Sequence, residues 1–519
     1  MTAYLMGLDI STTGSKALLI NPSGEVIASA TSEHPMYSPR ALWAEQNPED
    51  WWKSVVESIR TALSESGINA ADISGIGLTG QMHGLVLLDG GGHVLRPCIM
   101  WNDQRTGEEC AEITTVVGES KLIEITGKPV LPNFTAPKIA WVRKQEPQVY
   151  DKAAHVLLPK DFVRYRLTGE LFSDVSDASG TSLFDVGRRN WSEELIGALG
   201  IQRSWLPEVT ESPEISAKIS AEAARLTGLI EGTPVVGGAG DQAAQAIGTG
   251  IIDEGIVSAT LGTSGVLFTT TNDYCTDREG KIHSYCHASP GKWHLMGVML
   301  SAAGSLRWFR DALGDSEIRL ARETGKDPYE IISDEASAIS AGCEGLIFLP
   351  YLTGERTPHA DANARGVFFG LTLRHGKAHM ARAVLEGVSF GLRDSLELMR
   401  ALGLPIGEFR ASGGGAKSRL WRQILADNFE TDLLTVNISE GAAYGAALLA
   451  GVGAGIYRSV EDACATTIRI TGRTSPGSAV KIYSEYYRRY RALYPALKRE
   501  FEELARLAER FSQPDAEAE

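Results

Sequence analysis

The chain opens on a pattern that it uses a second time. Tyr4-Leu-Met-Gly-Leu-Asp9 is a short apolar run ending in an acid. The turn Ser11-Thr-Thr-Gly14 and a second apolar run, Ala17 to Ile20, follow it. Apolar runs of this length bounded by turn residues predict strand, turn, strand. Asn21-Pro-Ser-Gly24 then predicts another turn before a third strand. The same grammar returns in Ile256-Val-Ser-Ala-Thr-Leu-Gly-Thr-Ser-Gly265, followed by Val266 to Phe268. With Asp9 placed on Thr260, Thr12-Thr13-Gly14 falls on Thr263-Ser264-Gly265. Two domains that each begin with such a hairpin suggest a duplicated α/β unit. Gly/Ser/Thr turns between strands are also common in unrelated chains, and this one match leaves both readings open. Length supports two domains, since 519 residues exceed what a single core usually organises.

Between these hairpins the pattern alternates. Asn47 and Pro48 predict a helix start, with Trp51, Trp52, Val55, Val56 and Ile59 at helical spacing. Ile73 to Leu78 predicts a strand that ends at Thr79-Gly-Gln-Met-His83. Gly441 to Tyr457 is uncharged, rich in Ala and Gly and short for a bilayer span, and predicts a buried helix and its exit. Val480 to Phe511 predicts a terminal helix packed on the second domain, followed by an acidic, frayed tail from Ser512 to Glu519. We place the domain boundary between Gly248 and Glu254, giving residues 1–249, 250–480 and 481–519.

Charge and cysteine usage narrow the function. The formal net charge is −15 and no Lys/Arg run interrupts it, which disfavours nucleic acid and acidic membrane surfaces as partners. Bound nucleotides remain compatible, because loop amides, helix N-termini and Mg2+ hold phosphates without bulk positive charge. The six cysteines form no Cys-x-x-Cys pair and no zinc spacing. Gly7 and Asp9 interrupt the only apolar stretch at the N-terminus, so no signal peptide is read there. A reducing, cytoplasmic setting is the expectation. A homodimer is compatible with the sequence, which fixes no oligomeric state.

Four segments could carry phosphoryl transfer, which needs a cradle for phosphates, a cation, and a base facing the acceptor hydroxyl. Asp9-Ile-Ser-Thr-Thr-Gly-Ser-Lys16 puts an acid at a strand end before hydroxyls and amides. Lys16 could add charge or face solvent, and the run is not a P-loop. Gly262-Thr-Ser-Gly265 is the matching turn without an acid. Pro234-Val-Val-Gly-Gly-Ala-Gly-Asp-Gln242 runs a strand into glycines and an acid at a helix start. There Asp241 could be an N-cap or a base. Ala411-Ser-Gly-Gly-Gly-Ala-Lys-Ser418 precedes a helix from Leu420 to Phe429 and could lie against a nucleotide. It lacks the third glycine of a dinucleotide fingerprint. His83 and Met100-Trp-Asn-Asp103 sit at strand ends, where a small polyhydroxylated ligand could be recognised.

These runs, in this order, resemble the FGGY carbohydrate kinases. The resemblance is carried by Trp43-Ala-Glu-Gln46, Gly80-Gln-Met-His-Gly84, Trp101-Asn-Asp103, Phe134-Thr-Ala-Pro-Lys138 and Leu158-Pro-Lys-Asp161. Further along, Gly262-Thr-Ser-Gly265, Trp293-His-Leu-Met296, Gly354-Glu-Arg-Thr-Pro358 and the stretch from Gly366 through His379 to Glu386 carry it too. It extends from about Tyr4 to at least Ala450. It implies two actin-like, ribonuclease-H-like domains flanking a cleft that closes over its substrates. It also implies ATP and Mg2+ as partners and phosphorylation of the terminal hydroxyl of a ketopentose. D-xylulose is the leading acceptor, with ribulose or glycerol as alternatives. By the same resemblance Asp241 is the general base, and Asp9 organises Mg2+ through water beside Thr12 and Thr13. Met82, His83, Asp103 and Gln242 contact the sugar, while Gly262, Thr263, Gly304, Gly414 and Gly415 face the nucleotide. Gln242 stands where some members have Asn, and Asn133 stands where Gly is frequent; the first bears on which sugar is preferred. A rival of another class is an actin-like ATP-binding protein without a small acceptor, for which Asp241 and the His83 cluster would have no use. A silent sugar sensor is the third reading, and sugar-dependent ADP release would exclude it.

Overall fold

The computed structural model describes residues 3–512, and the acidic tail after Ser512 lies outside them. The chain forms two compact units. Among the described residues the first comprises 3–253, 270–295 and 437–469, and the second 254–269, 296–436 and 470–512.

The first unit is built on a mixed sheet. Its strands are β1 (Tyr4–Ile10), β2 (Gly14–Ile20), β3 (Val26–Glu33), β4 (Ile73–Gly80), β5 (Ile215–Lys218), β6 (Pro234–Val236) and β7 (Ala239–Gly240). They run in the order β5-β6-β4-β1-β2-β3, with β7 also paired to β4. Alternation along β1 and β2 sorts side chains to two faces. Met6, Leu8, Ile10, Ala17 and Leu19 join one apolar cluster, and Leu5, Leu18 and Ile20 join another. Helix α1 (Pro48–Ser66) covers the first face with Trp51, Trp52, Val55 and Ile59. Its start follows the sequence expectation: Asn47 accepts a bond from the Glu49 amide, Pro48 sits in the first turn, and Gly67 at φ 64° ends it. The second face is covered by the Gly441–Gly453 helix, which buries Ala443, Tyr444, Ala447 and Leu448. That helix comes from far along the chain, and hydroxyls tie its region to the first hairpin. Tyr444 donates to the Gly24 carbonyl at 2.9 Å and Tyr457 to the Pro22 carbonyl at 3.0 Å.

The second unit repeats the opening. Strands β8 (Gly255–Leu261) and β9 (Gly265–Thr271) form a hairpin, and β8 pairs in parallel with β10 (Ile406–Ser412). β11 (Leu433–Val436) and β12 (Ile470–Thr474) extend this sheet beyond β10. The correspondence is strand for strand, with the second hairpin one residue tighter. Asp9 faces Lys16 across its hairpin and Thr79 across the parallel pair; Thr260 faces Val266 and Ser412. The Val480–Ser512 helix packs in this unit through a stripe of tyrosines. Tyr483 donates to Glu386 at 2.9 Å, Tyr487 to Asp394 at 2.8 Å and Tyr494 to Asp361 at 2.8 Å, while Tyr490 bonds Tyr351 at 3.1 Å. Burial raises the Asp394 carboxyl to about 7 against the Tyr487 bond, so this helix seats itself on polar as well as apolar contacts.

Candidate active site

In the first unit, three strand ends converge. Asp9 is next to last in β1, Met82 and His83 follow β4, and Asp241 follows β7. Asp241 is the first residue of a helix, α2 (Asp241–Thr249), while Gly240 occupies the cap position. The capping role open at the sequence level is therefore filled by a glycine. The Asp241 carboxyl instead takes hydrogen bonds from the backbone and side chain of Gln242, which oppose the effect of burial. Burial wins and raises Asp241 to about 6. Burial and then the charge of Asp241 raise Asp9 to about 7, with Lys16 opposing. Both side chains keep part of their surface open although protein surrounds them. Two carboxylates thus share one partly accessible site, the environment in which a carboxylate becomes a base near neutral pH.

The turn after Asp9 is held from below. Ser11 donates to the Gly14 carbonyl through backbone and hydroxyl. Gln46 donates to the Thr12 carbonyl at 2.8 Å and accepts from Trp51 at 3.0 Å and Gln81 at 2.7 Å. Thr12 Oγ1 accepts from the Trp101 indole at 3.1 Å, and Thr13 is exposed. Lys16 does not stand free: it pairs with Glu440 at 2.7 Å.

His83 carries a positive φ of 69°, a conformation that surrounding contacts must hold. Its carbonyl accepts from Thr135 Oγ1 at 3.2 Å and from Lys138 Nζ at 2.8 Å, and its Nδ1 lies 3.0 Å from the Gly180 carbonyl. The ring meets Phe134 edge-on at 4.9 Å. This explains the Phe134-Thr-Ala-Pro-Lys138 run: three of its residues fix His83. Lys138 was not foreseen as a support, and burial lowers its ammonium to about 7. Met82 packs against Gly240, where an added Cβ would lie 2.9 Å from its Cγ. The structure thus gathers Asp9, Met82, His83, Asp241 and Gln242 around the ends of neighbouring strands.

Asp103 is placed differently. It is buried, and its oxygens accept from the Ala44 amide at 2.7 Å, the Arg105 amide at 2.9 Å and the Arg105 guanidinium at 2.7 Å. Arg105 in turn stacks on Trp43, 3.6 Å from the ring centroid, and pairs with Glu45 at 2.8 Å. The carboxylate is committed to this arginine, so it braces the loop that carries Trp101.

The second unit holds a cavity of about 1100 Å³. Gly262, Thr263, Gly304, Gly414 and Gly415 all line it; Thr12 and Thr13 belong to the other unit. The glycines divide by role. A Cβ on Gly304 would lie 2.9 Å from the Thr263 carbonyl, and one on Gly415 2.8 Å from Leu261, so these two let backbones touch. Gly414 has nothing within 4 Å, which leaves its face open to the cavity. Lys417, Arg307 and Arg419 bring positive charge to one part of the wall, and Asp327, Glu330 and Asp334 bring as many acids to another. An elongated polar ligand with both donors and acceptors fits this volume and mixed lining. Among the described residues no group of three or more His, Cys, Asp or Glu is placed to hold a metal. A divalent ion here would share few protein oxygens and complete its shell with phosphate and water, as Mg2+ does.

Twin hairpin-and-parallel-strand sheets, with a glycine-lined cavity and a paired-carboxylate site, are the build of an actin-like ATPase fold. Comparison with known proteins agrees. The N-terminal-domain model of the FGGY family of carbohydrate kinases matches residues 4–248, and the C-terminal-domain model matches 257–454. A xylulose kinase of Bacillus subtilis is 38% identical over 95% of this chain and 97% of its own. A gluconokinase of the same organism is 34% identical over 98% and 97%. The crystal structure of a xylulose kinase from Rhodospirillum rubrum superposes with a TM-score of 0.88 at 31% identity, covering 96% of this chain and 100% of that one. The chain belongs to the FGGY family of carbohydrate kinases, and it is a sugar kinase. No helix among the described residues is long and apolar enough to cross a membrane.

Proposed function

We propose that the chain transfers the γ-phosphoryl group of ATP to the terminal hydroxyl of D-xylulose, giving D-xylulose 5-phosphate, with Asp241 as general base. The observation that carries the base is the position of Asp241: first in its helix, partly open, raised to about 6 and beside a second carboxyl at Asp9. In this reading Asp241 accepts the hydroxyl proton as the sugar oxygen attacks phosphorus. Met82, His83 and Gln242 hold the acceptor in the first unit, with Asp103 bracing the Trp101 loop beside it. The first unit thus carries sugar and base and the second the nucleotide; the division expected at 249/250 is crossed by residues 270–295 and 437–469, which belong to the first unit, and the Val480–Ser512 helix is a support of the second. Gly262, Thr263, Gly304, Gly414 and Gly415 are the nucleotide contacts of the second unit, and Thr12 and Thr13 the phosphate contacts of the first. Asp9 would hold Mg2+ through water; when bound, that ion neutralises phosphate charge. A cytoplasmic setting is supported by six cysteines that form no disulfide, five of them buried.

The acceptor is inferred from the relatives, and the gluconokinase among them favours a second reading in which the acceptor is a sugar acid. ADP release with MgATP against D-xylulose, D-ribulose, glycerol and gluconate decides between them. We expect the highest kcat/KM with D-xylulose; a higher value for any other compound overturns the assignment.

The pH profile tests the base separately. The carboxylate is the active form and burial raises its pKa, so activity is present above about 6 and lost below it. The expected kcat/KM for the sugar falls about tenfold per unit of pH below 6. A profile flat down to pH 4.5 would remove Asp241 from this role.

A further inference from the structure

The run Gly354-Glu-Arg-Thr-Pro358 carries part of the family resemblance, yet none of the described residues from Thr353 to Pro358 lines the cavity of about 1100 Å³. Its acid is enclosed, with Glu355 only 3% exposed. Glu355 Oε1 accepts from the Leu300 amide at 2.9 Å and from the Arg356 amide at 2.7 Å, while Oε2 has no hydrogen-bond partner among the described residues. Burial raises this carboxyl to about 8, so it stays protonated at neutral pH. A neutral acid tolerates an enclosed oxygen without donors far better than a carboxylate does. What the side chain offers is one acceptor, aimed at two backbone amides.

The Leu300 amide leads towards the nucleotide side. Leu300 follows the strand Trp293–Met299, and the helix Ala303–Leu313 begins three residues later. Two further contacts stitch this stretch to the same loop. The Thr357 amide donates to the Val298 carbonyl at 3.0 Å, and the Val298 amide donates to Thr357 Oγ1 at 3.1 Å. The hydroxyls of Ser301 and Thr353 share a hydrogen bond at 3.0 Å. Beyond Ser301 the chain turns directly onto the glycine turn. The amides of Ala302 and Gly304 donate to the Thr263 carbonyl at 2.9 and 3.1 Å, and that of Ala303 donates to the Gly262 carbonyl at 2.8 Å. No side chain caps this helix, so its first amides are spent on the turn that brings Gly262 and Thr263 to the cavity wall. Every link in the series, from Glu355 to Gly262, belongs to the second unit.

We propose that the loop from Thr353 to Thr357, with Glu355 at its centre, is a positioning element for the nucleotide: it fixes the stretch from Val298 to Ser301 and, through it, the Gly262–Thr263 turn of the cavity. This inference rests on the reading of that cavity as the nucleotide site. Glycine-rich turns bring no side chains of their own to hold them in place. Their geometry therefore depends on the shell behind them.

The test measures the KM for MgATP and the KM for the sugar separately in the full-length protein. Glu355→Ala removes the shared acceptor and is expected to raise the KM for MgATP about tenfold, with the KM for the sugar unchanged. Glu355→Gln keeps an acceptor oxygen in the same place and is neutral like the protonated acid, so it should restore the wild-type KM for MgATP. A residue that served folding alone would lower the melting temperature and the active fraction, and would leave the KM of the folded fraction as it was. An unchanged KM for MgATP in Glu355→Ala, an equal rise in both KM values, or a Glu355→Gln protein no better than Glu355→Ala overturns the proposal. If Glu355→Ala does not fold, Thr353→Ala decides, because that residue is exposed. Loss of its Ser301 contact should raise the KM for MgATP about threefold and spare the sugar; no change there overturns the proposal. Wild-type protein with no MgATP-dependent turnover of any sugar would overturn the functional reading first, and this inference with it.

Discussion

Asp241→Asn is expected to lower kcat by about 10²- to 10⁴-fold, the range that a positioned general base contributes. The variant keeps the side chain's shape and can still accept the Gln242 hydrogen bonds through its amide oxygen, so the helix start and sugar contacts should survive. Only the capacity to take a proton is removed. The KM for sugar should therefore change little, and the pH dependence near 6 should disappear from the residual activity. Stability offers an independent check. The charge of Asp241 raises Asp9 within the same site, so replacing one of two facing carboxyls by a neutral amide relieves repulsion. The melting temperature should stay the same or rise, most visibly above pH 7, where both acids would be ionised. Such a gain in stability with a loss of activity is the usual signature of a residue kept for chemistry. Near-normal turnover would remove Asp241 from the chemistry. A collapse in melting temperature would instead make it structural.

Much of this site was legible before any coordinates. Local chemistry reveals itself: Asn47-Pro48 predicts the start of α1, Ser-Thr-Thr-Gly and Gly-Thr-Ser-Gly predict two hairpins, and a strand, glycines and an acid predict Asp241 at a helix start. What stayed hidden is long-range. That the Gly441–Gly453 helix belongs to the first unit depends on its fit to Gly7 and Gly77, which no periodicity in its own residues encodes. Lys138 looked like the end of a motif, and its purpose becomes visible only when its ammonium meets the His83 carbonyl. The commitment of Asp103 to Arg105 could have been suspected from their spacing, but the aromatic clamp of Trp43 and Trp141 around that arginine could not. Buried charge is the hardest to foresee. Lys160 and Asp161 stand in the sequence only as the end of the Leu158-Pro-Lys-Asp161 run, and nothing there marks Asp174 or Asp177 until the fold encloses all four.

Gly445→Ala is expected to destabilise the protein by about 3 kcal/mol or more and to lower activity as well. A Cβ at 445 would lie 1.8 Å from the Ala244 carbonyl oxygen and 2.9 Å from the Gly248 amide nitrogen. The reciprocal contact is as tight, since a Cβ on Gly248 would lie 2.2 Å from the Gly441 carbonyl. The Gly441–Gly453 helix and α2 therefore meet backbone to backbone, with no side chain able to move aside. On its other side the same helix is pressed to the sheet, where Cβ atoms on Gly7 and Gly77 would stand 1.9 Å from the Ala443 and 2.0 Å from the Ala446 carbonyls. Held from both sides, it cannot retreat. To admit one methyl group the two helices must separate by roughly 1 Å, and close-packed interiors transmit such a shift rather than absorb it. The element that yields is α2, whose first residue is Asp241. A displacement of that size at a reacting group can lower turnover about 100-fold. Thermal melts and kcat should thus fall together in this variant, whereas Asp241→Asn loses kcat alone. Gly197→Ala is the control within the same unit. That glycine lies in the Glu193–Leu199 helix with nothing within 4 Å of the added atom, and the change should stabilise by about 0.4–1 kcal/mol without altering kcat. A Gly445→Ala protein as stable as the wild type would show that the two helices do not meet through their backbones, and the account of how Asp241 is held in place would fall with that contact.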